Sequence, residues 1–103
     1  MAEANLILAS KSPRRAELLK QIGLQFLARS SDIDEVAFSG ESADKFVERM
    51  AFEKARACEA SPQTIVLAAD TIVELDGAIL GKPSDRAAGI SMLQRLSGRS
   101  HRV

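Results

Sequence analysis

An α/β fold, a mixed sheet flanked by helices, is predicted by three features of the sequence. Strand-length apolar runs alternate with segments of helical period, an Asp76-Gly77 pair sits between apolar flanks, and Gly or Pro stands at most of the boundaries. Alternation of this kind calls for at least one right-handed crossover between parallel strands.

The first run, Leu6-Ile-Leu-Ala, stops at Ser10-Lys-Ser-Pro and reads as a strand entering a tight loop. From Pro13 to Ile22, residues Ala16, Leu18, Leu19 and Ile22 fall at helical spacing. Ser12 stands where an N-cap belongs, Pro13 fits the first helical position, and Gly23 can turn left-handed past the end. Leu24, Phe26 and Ala28 then alternate with Gln25, Leu27 and Arg29, predicting a second strand before an acidic loop over Ser30 to Glu35.

A second helix is expected from just after Ser42 to about Glu59, stopped by Ser61-Pro62. Thr64 to Val73 reads as a strand whose apolar run is interrupted only by Asp70 and Thr71. Glu74-Leu75-Asp76-Gly77-Ala78-Ile79 carries the strongest short-range hairpin signal, an Asp-Gly centre between apolar residues. After Gly81-Lys-Pro, Ser84 is expected to cap a third helix that turns Met92, Leu93 and Leu96 inward and closes at Gly98. The final Gly98-Arg-Ser-His-Arg-Val reads as a strand just beginning, which predicts a domain cut short. With no repeat, low-complexity tract or linker, residues 1–103 are assigned to one domain.

Composition narrows the function classes. With 46% hydrophobic and 27% charged residues the chain is ordinary globular protein, not disordered or fibrous. Fourteen basic residues balance fourteen acidic ones, so there is no general basic excess for nucleic acid or an anionic membrane, and anion binding must come from local clusters. Cys58 is the single cysteine and cannot form an internal disulfide, and the opening residues do not resemble a secretory leader; a reducing cytoplasm is the expected setting.

Several residues break the pattern. Ser10, Ser12, Arg14 and Arg15 surround a helix N-terminus, whose free N–H groups, with hydroxyls and two guanidinium groups, would suit a phosphate. A well-capped surface helix with two solvated arginines accounts for the same residues. At about 100° per residue, Phe46, Val47, Met50, Ala51, Ala55 and Cys58 form one stripe with Lys54 near its middle; Lys45, Glu48, Arg49, Glu53, Arg56 and Glu59 lie opposite. Lys54 therefore either snorkels to water or borders a cleft holding an anion. Asp70 lies inside an apolar run, where an unpaired carboxylate is costly, so it should be paired, metal-bound or at a cleft mouth. Asp32, Asp34 and Glu35 could offer oxygen ligands to a dication, or simply form solvated surface.

Taken together, Leu6-Ile-Leu-Ala-Ser-Lys-Ser-Pro-Arg-Arg-Ala-Glu-Leu-Leu, Ser31-Asp-Ile-Asp-Glu, Glu53-Lys-Ala, Ala69-Asp-Thr-Ile-Val, Leu75-Asp-Gly-Ala-Ile-Leu-Gly-Lys-Pro and Met92-Leu-Gln-Arg-Leu-Ser-Gly-Arg-Ser-His closely resemble the Maf family of nucleotide pyrophosphatases. The six motifs occur in the family's order and spacing over nearly the whole chain. The resemblance implies a fold like that of the inosine-triphosphate pyrophosphatases and a divalent-metal-dependent hydrolysis. It implies that Asp70 is the catalytic proton acceptor, that Ser10 to Arg15 handle the triphosphate, and that Lys54, Lys82 and the acidic position at Asp34 belong to the site. Arg14 and Thr71 match the branch acting on dTTP and UTP rather than the one acting on 7-methyl-GTP. Members continue into a second half with a Lys-Ala-Gly-x-Tyr-x-Ile-Gln-Gly segment that these residues lack, so the chain corresponds to an N-terminal half.

The expected reaction cuts a nucleoside triphosphate into a monophosphate and pyrophosphate. Asp70 acts on water; Ser10, Ser12, Arg14, Arg15, Lys54, Thr71 and Lys82 bind substrate; Asp34 and Glu35 hold Mg²⁺ or Mn²⁺. A low carboxylate pKa favours Asp70 acting through the metal over acting as a free base. The alternatives are a non-catalytic nucleotide-binding regulator of cell division and an inactive fragment of the enzyme. Nucleic-acid binding through Arg14 and Arg15 fits poorly with zero net charge and the absence of Trp and Tyr for stacking. The expected partner is a nucleoside triphosphate, without nucleic acid or membrane, and a homodimer is left open.

Overall fold

The computed structural model describes residues 5–30, 32–81 and 85–103. The elements run β1 (Leu6–Ala9), α1 (Pro13–Gln21), β2 (Leu27–Arg29), α2 (Ala43–Ala57), β3 (Ile65–Leu67), β4 (Val73–Leu75), β5 (Ala78–Leu80) and α3 (Arg86–Leu96). The α/β class predicted above is the one found. Parallel and antiparallel pairings both occur, distributed between two sheets. The chain divides into two compact units, Met1–Val36 with Glu48–Asp70, and Ala37–Val47 with Thr71–Val103.

In the first unit β1 is the centre of a three-stranded parallel sheet, order β2-β1-β3. It pairs Ile7 with Leu27 on one side and Leu6 with Ile65 on the other. Ile7, Leu8, Ala9 and Met50 are the buried apolar residues of this unit. A central parallel strand is buried on both faces, which is why Leu6-Ile-Leu-Ala is continuous rather than alternating. α1 begins as expected: Ser12 is extended, its hydroxyl accepts from the Arg15 N–H, and Pro13 opens the helix. Gly23 takes φ +79°, the left-handed conformation that a helix exit favours.

Two strands are shorter than predicted. β2 covers only Leu27–Arg29, all exposed, instead of starting at Leu24. In the observed register Leu27 faces Ile7, so Gln25 falls opposite Asn5, ahead of the start of β1 at Leu6. The run predicted from Thr64 to Val73 is not one strand. β3 stops at Leu67, opposite Leu8, because β1 itself ends one residue later and the chain turns into the Ser10 loop.

In the second unit β4 and β5 form the predicted hairpin, pairing Leu75 with Ala78. Asp76 and Gly77 take φ +51° and +80°, the two left-handed residues that a type I′ turn requires. Ala43, Phe46, Leu75 and Leu80 are its buried apolar residues. α2 starts directly after Ser42 as expected, and the Ser42 hydroxyl accepts from the Lys45 N–H at 3.2 Å.

Ser84, expected to cap α3, lies outside the described residues. The cap found is Asp85, which accepts from the Ala88 N–H at 2.7 Å. Leu93, expected inward, is 67% exposed, while Met92 and Leu96 are half-buried. Arg102 makes an antiparallel bridge with Glu74, as the incipient strand at the chain end anticipated. Among the described residues no helix is long and apolar enough to cross a membrane.

Candidate functional site

Parallel pairing puts the exits of β1 and β3 at the same end of the first unit's sheet. Leu8 faces Leu67, so Ser10 and Ala69 each lie two residues past a matched pair. Outside the carboxyl ends of parallel strands is where α/β sheets place ligands. Three residues beyond β3, at this end, comes Asp70.

The Ser10-Lys-Ser-Pro-Arg-Arg loop is tied to itself and to the β3 exit. Ser10 Oγ accepts from the Ser12 N–H at 3.1 Å and from Arg15 Nη1 at 3.2 Å. Arg15 Nη1 also donates to the Ala69 carbonyl oxygen at 3.1 Å, reaching the residue just before Asp70. Arg15 is therefore a brace between the two strand exits. Its neighbour Arg14 is exposed at the start of α1.

From α2 comes Lys54, whose ammonium lies 2.8 Å from Asp70 Oδ1 and 2.9 Å from Glu35 Oε1. The Asp70 side chain is 8% exposed, that of Lys54 20% and that of Glu35 51%. Burial pulls the Lys54 pKa down, but the hydrogen bonds and charges of Asp70 and Glu35 together outweigh it and hold the ammonium above its ordinary 10.5. The cation found on the apolar stripe of α2 thus ends between two carboxylates.

The structure gathers Ser10, Ser12, Arg15, Glu35, Lys54 and Asp70 in one unit. Arg14 and Asp34, in the same unit, are exposed and stand outside that network. Thr71 is exposed and belongs to the second unit; Lys82 lies outside the described residues. Among the described residues no group of three or more His, Cys, Asp or Glu side chains converges as a metal cage.

Arg49 was not anticipated. The helical wheel set it on the solvent face, yet its side chain is only 19% exposed. Its Nη2 donates to the Val36 carbonyl oxygen at 2.8 Å and its Nη1 pairs with Glu53 at 3.1 Å. Helical periodicity could not reveal this, since the partner is a backbone carbonyl of an irregular loop.

A family model described as Maf-like protein matches residues 5–103. The dTTP/UTP pyrophosphatase of Symbiobacterium thermophilum is 56% identical over 99 residues, which are 95% of this chain and 51% of that protein. That of Desulfotalea psychrophila is 54% identical over 99 residues, again 95% and 51%. That of Aromatoleum aromaticum is 44% identical over 116 residues, 98% of this chain and 56% of the relative. The chain spans about half the length of the curated relatives it matches.

Proposed function

Because this chain belongs to the Maf-like protein family, we propose that residues 1–103 supply the N-terminal half of a single-domain nucleoside triphosphate pyrophosphatase. The enzyme cleaves dTTP and UTP between the α and β phosphates and releases the monophosphate and pyrophosphate. The observation that carries this reading is the Glu35–Lys54–Asp70 cluster at the exits of parallel strands, beside a loop bearing two arginines.

Hydrolysis of a phosphoanhydride needs charge neutralised on phosphate oxygens and a water oriented toward phosphorus. Arg14, exposed beside the N-terminus of α1, takes the phosphates, where helix N–H groups add to its charge. Lys54 has two roles: it pairs with Asp70 and Glu35 and fixes where they sit, and its ammonium offers a donor to a phosphate oxygen. Asp70, held with little freedom by Lys54, orients the water. Arg15, Ser10 and Ser12 keep the loop and the Ala69 carbonyl in register. From the family resemblance alone, Thr71 and Lys82 are further candidates for substrate binding, and Arg14 and Thr71 match the branch acting on pyrimidine nucleotides.

The donor set at the cluster is hard carboxylate oxygen, which suits Mg²⁺ or Mn²⁺. Such ions commonly use one or two carboxylates, with water and phosphate as the other ligands, and Glu35 and Asp70 would hold one, with Asp34 adjacent. When bound, the ion supplies further neutralisation of phosphate charge. We place the reaction in a reducing cytoplasm, consistent with the single Cys58.

The test is a nucleotide panel assayed for pyrophosphate with Mg²⁺, on the full-length protein and on residues 1–103. Release from dTTP and UTP ahead of purine triphosphates supports the proposal. Nucleotide binding with no release would replace it with the non-catalytic regulator.

A further inference from the structure

Glu35 stands on a segment, residues 32–36, with neither helix nor strand. A side chain on irregular backbone keeps a fixed position only if that backbone is tied to something rigid. Contacts among the described residues that tie it include the following. Lys11 pairs with Asp32 at 3.0 Å, but their side chains are 71% and 95% exposed, so solvent screens most of that attraction. Lys54 meets Glu35 at 2.9 Å, which is the site contact itself. A tie outside the site comes from Arg49, whose side chain is only 19% exposed and whose Nη2 donates to the Val36 carbonyl oxygen at 2.8 Å.

We propose that Arg49 is a positioning residue that sets the place of Glu35, and through Glu35 the Lys54–Asp70 pair. Its guanidinium is anchored at both ends. Nη1 pairs with Glu53 one turn along α2 at 3.1 Å while Nη2 holds the loop, an arrangement that the planar fork of arginine favours. Val36 directly follows Glu35, and successive Cα atoms are only about 3.8 Å apart. A shift of the Val36 peptide by about an ångström therefore takes the carboxylate out of hydrogen-bond range of Lys54, and misplacement of that size costs on the order of 100-fold in rate. Arg49 and Lys54 share one helix, so α2 fixes both the clamp on the loop and the cation that the loop must reach.

The kinetic consequence rests on the proposed pyrophosphatase reading; the clamp does not. The experiment uses the full-length protein with Arg49→Gln, Arg49→Lys, Glu35→Gln and the Arg49→Gln/Glu35→Gln double variant. Amide hydrogen exchange over residues 32–36 is read together with kcat and KM for dTTP. Arg49→Gln should speed exchange in that segment and lower kcat about 10- to 100-fold with KM within about twofold, and Arg49→Lys should recover part of both. The double variant should be no slower than Glu35→Gln alone, because Arg49 acts only through that carboxylate. Unchanged exchange over 32–36, or full additivity of the two rate losses, overturns the proposal. If the wild-type protein releases no pyrophosphate, the enzymatic reading falls while the exchange arm still decides the clamp. If Arg49→Gln does not fold, Arg49→Lys carries the same comparison.

Discussion

Lys54 Nζ lies 2.8 Å from Asp70 Oδ1, linking the last turn of α2 to the chain just past β3. Asp70 is nearly enclosed at 8% side-chain exposure, and an enclosed carboxylate without a counter-charge is costly. Removing the cation leaves Asp70 and Glu35 facing each other. Lys54→Met should therefore destabilise the fold by about 1–3 kcal/mol, less than the roughly 3–5 kcal/mol of a fully buried pair because Glu35 is half exposed. Urea unfolding measures it; an unchanged midpoint would mean that the pair contributes nothing to the fold.

The two ion-pair systems should respond at opposite ends of the pH scale. Lys54 has its pKa raised above 10.5, so its stabilisation is complete below 10.5 and is lost as pH climbs through the folded value. Glu74 is held below its ordinary 4.5 by the hydrogen bond from Arg102, so its stabilisation is present above 4.5 and lost as pH falls through the folded value. The stability gap between wild type and Lys54→Met should shrink in alkali as Lys54 loses its charge, and that between wild type and Glu74→Gln should shrink in acid. Unfolding curves across pH check both signs.

Arg14 and Arg15 are adjacent in sequence and should fail differently. Arg14 is exposed, and on the proposed reading the loss of one charge-assisted phosphate contact of about 1.5–3 kcal/mol should raise KM by roughly 10- to 100-fold while kcat changes little. Arg15 spends Nη1 on Ser10 and on the Ala69 carbonyl, so Arg15→Gln should lower kcat by loosening the approach to Asp70. Steady-state kinetics on the full-length protein separates the two; identical profiles would remove the division of roles.

Much of this was legible in the residues. The Ser12-Pro13 start of α1, the Asp76-Gly77 turn and the start of α2 just after Ser42 rest on local chemistry, and each appears where the chain specifies it. Lys54 and Asp70 were conspicuous because each interrupts an apolar pattern, and they meet. Strand lengths were not legible, since β2 and β3 end where their partner β1 runs out, a limit set by residues far away in sequence. Leu93 sits at helical spacing for the interior yet is exposed, because period fixes a face and not what covers it. Arg49 was assigned to solvent by the same wheel, and only the path of residues 32–36 reveals its partner.

The cap of α3 offers a local check independent of function. Asp85 accepts the Ala88 N–H at 2.7 Å, one of the donors a helix start leaves unpaired. Asp85→Ala should cost about 1 kcal/mol, and Asp85→Ser should restore most of it. Thermal unfolding of the three proteins would show the cap to be idle if all melted together.

The account depends most on the carboxylate at position 70 acting on water. Full-length protein carrying Asp70→Asn should bind dTTP within a few-fold of wild type while pyrophosphate release falls by roughly 10²- to 10⁴-fold. Undiminished release from that variant would take Asp70 out of the chemistry and contradict the account.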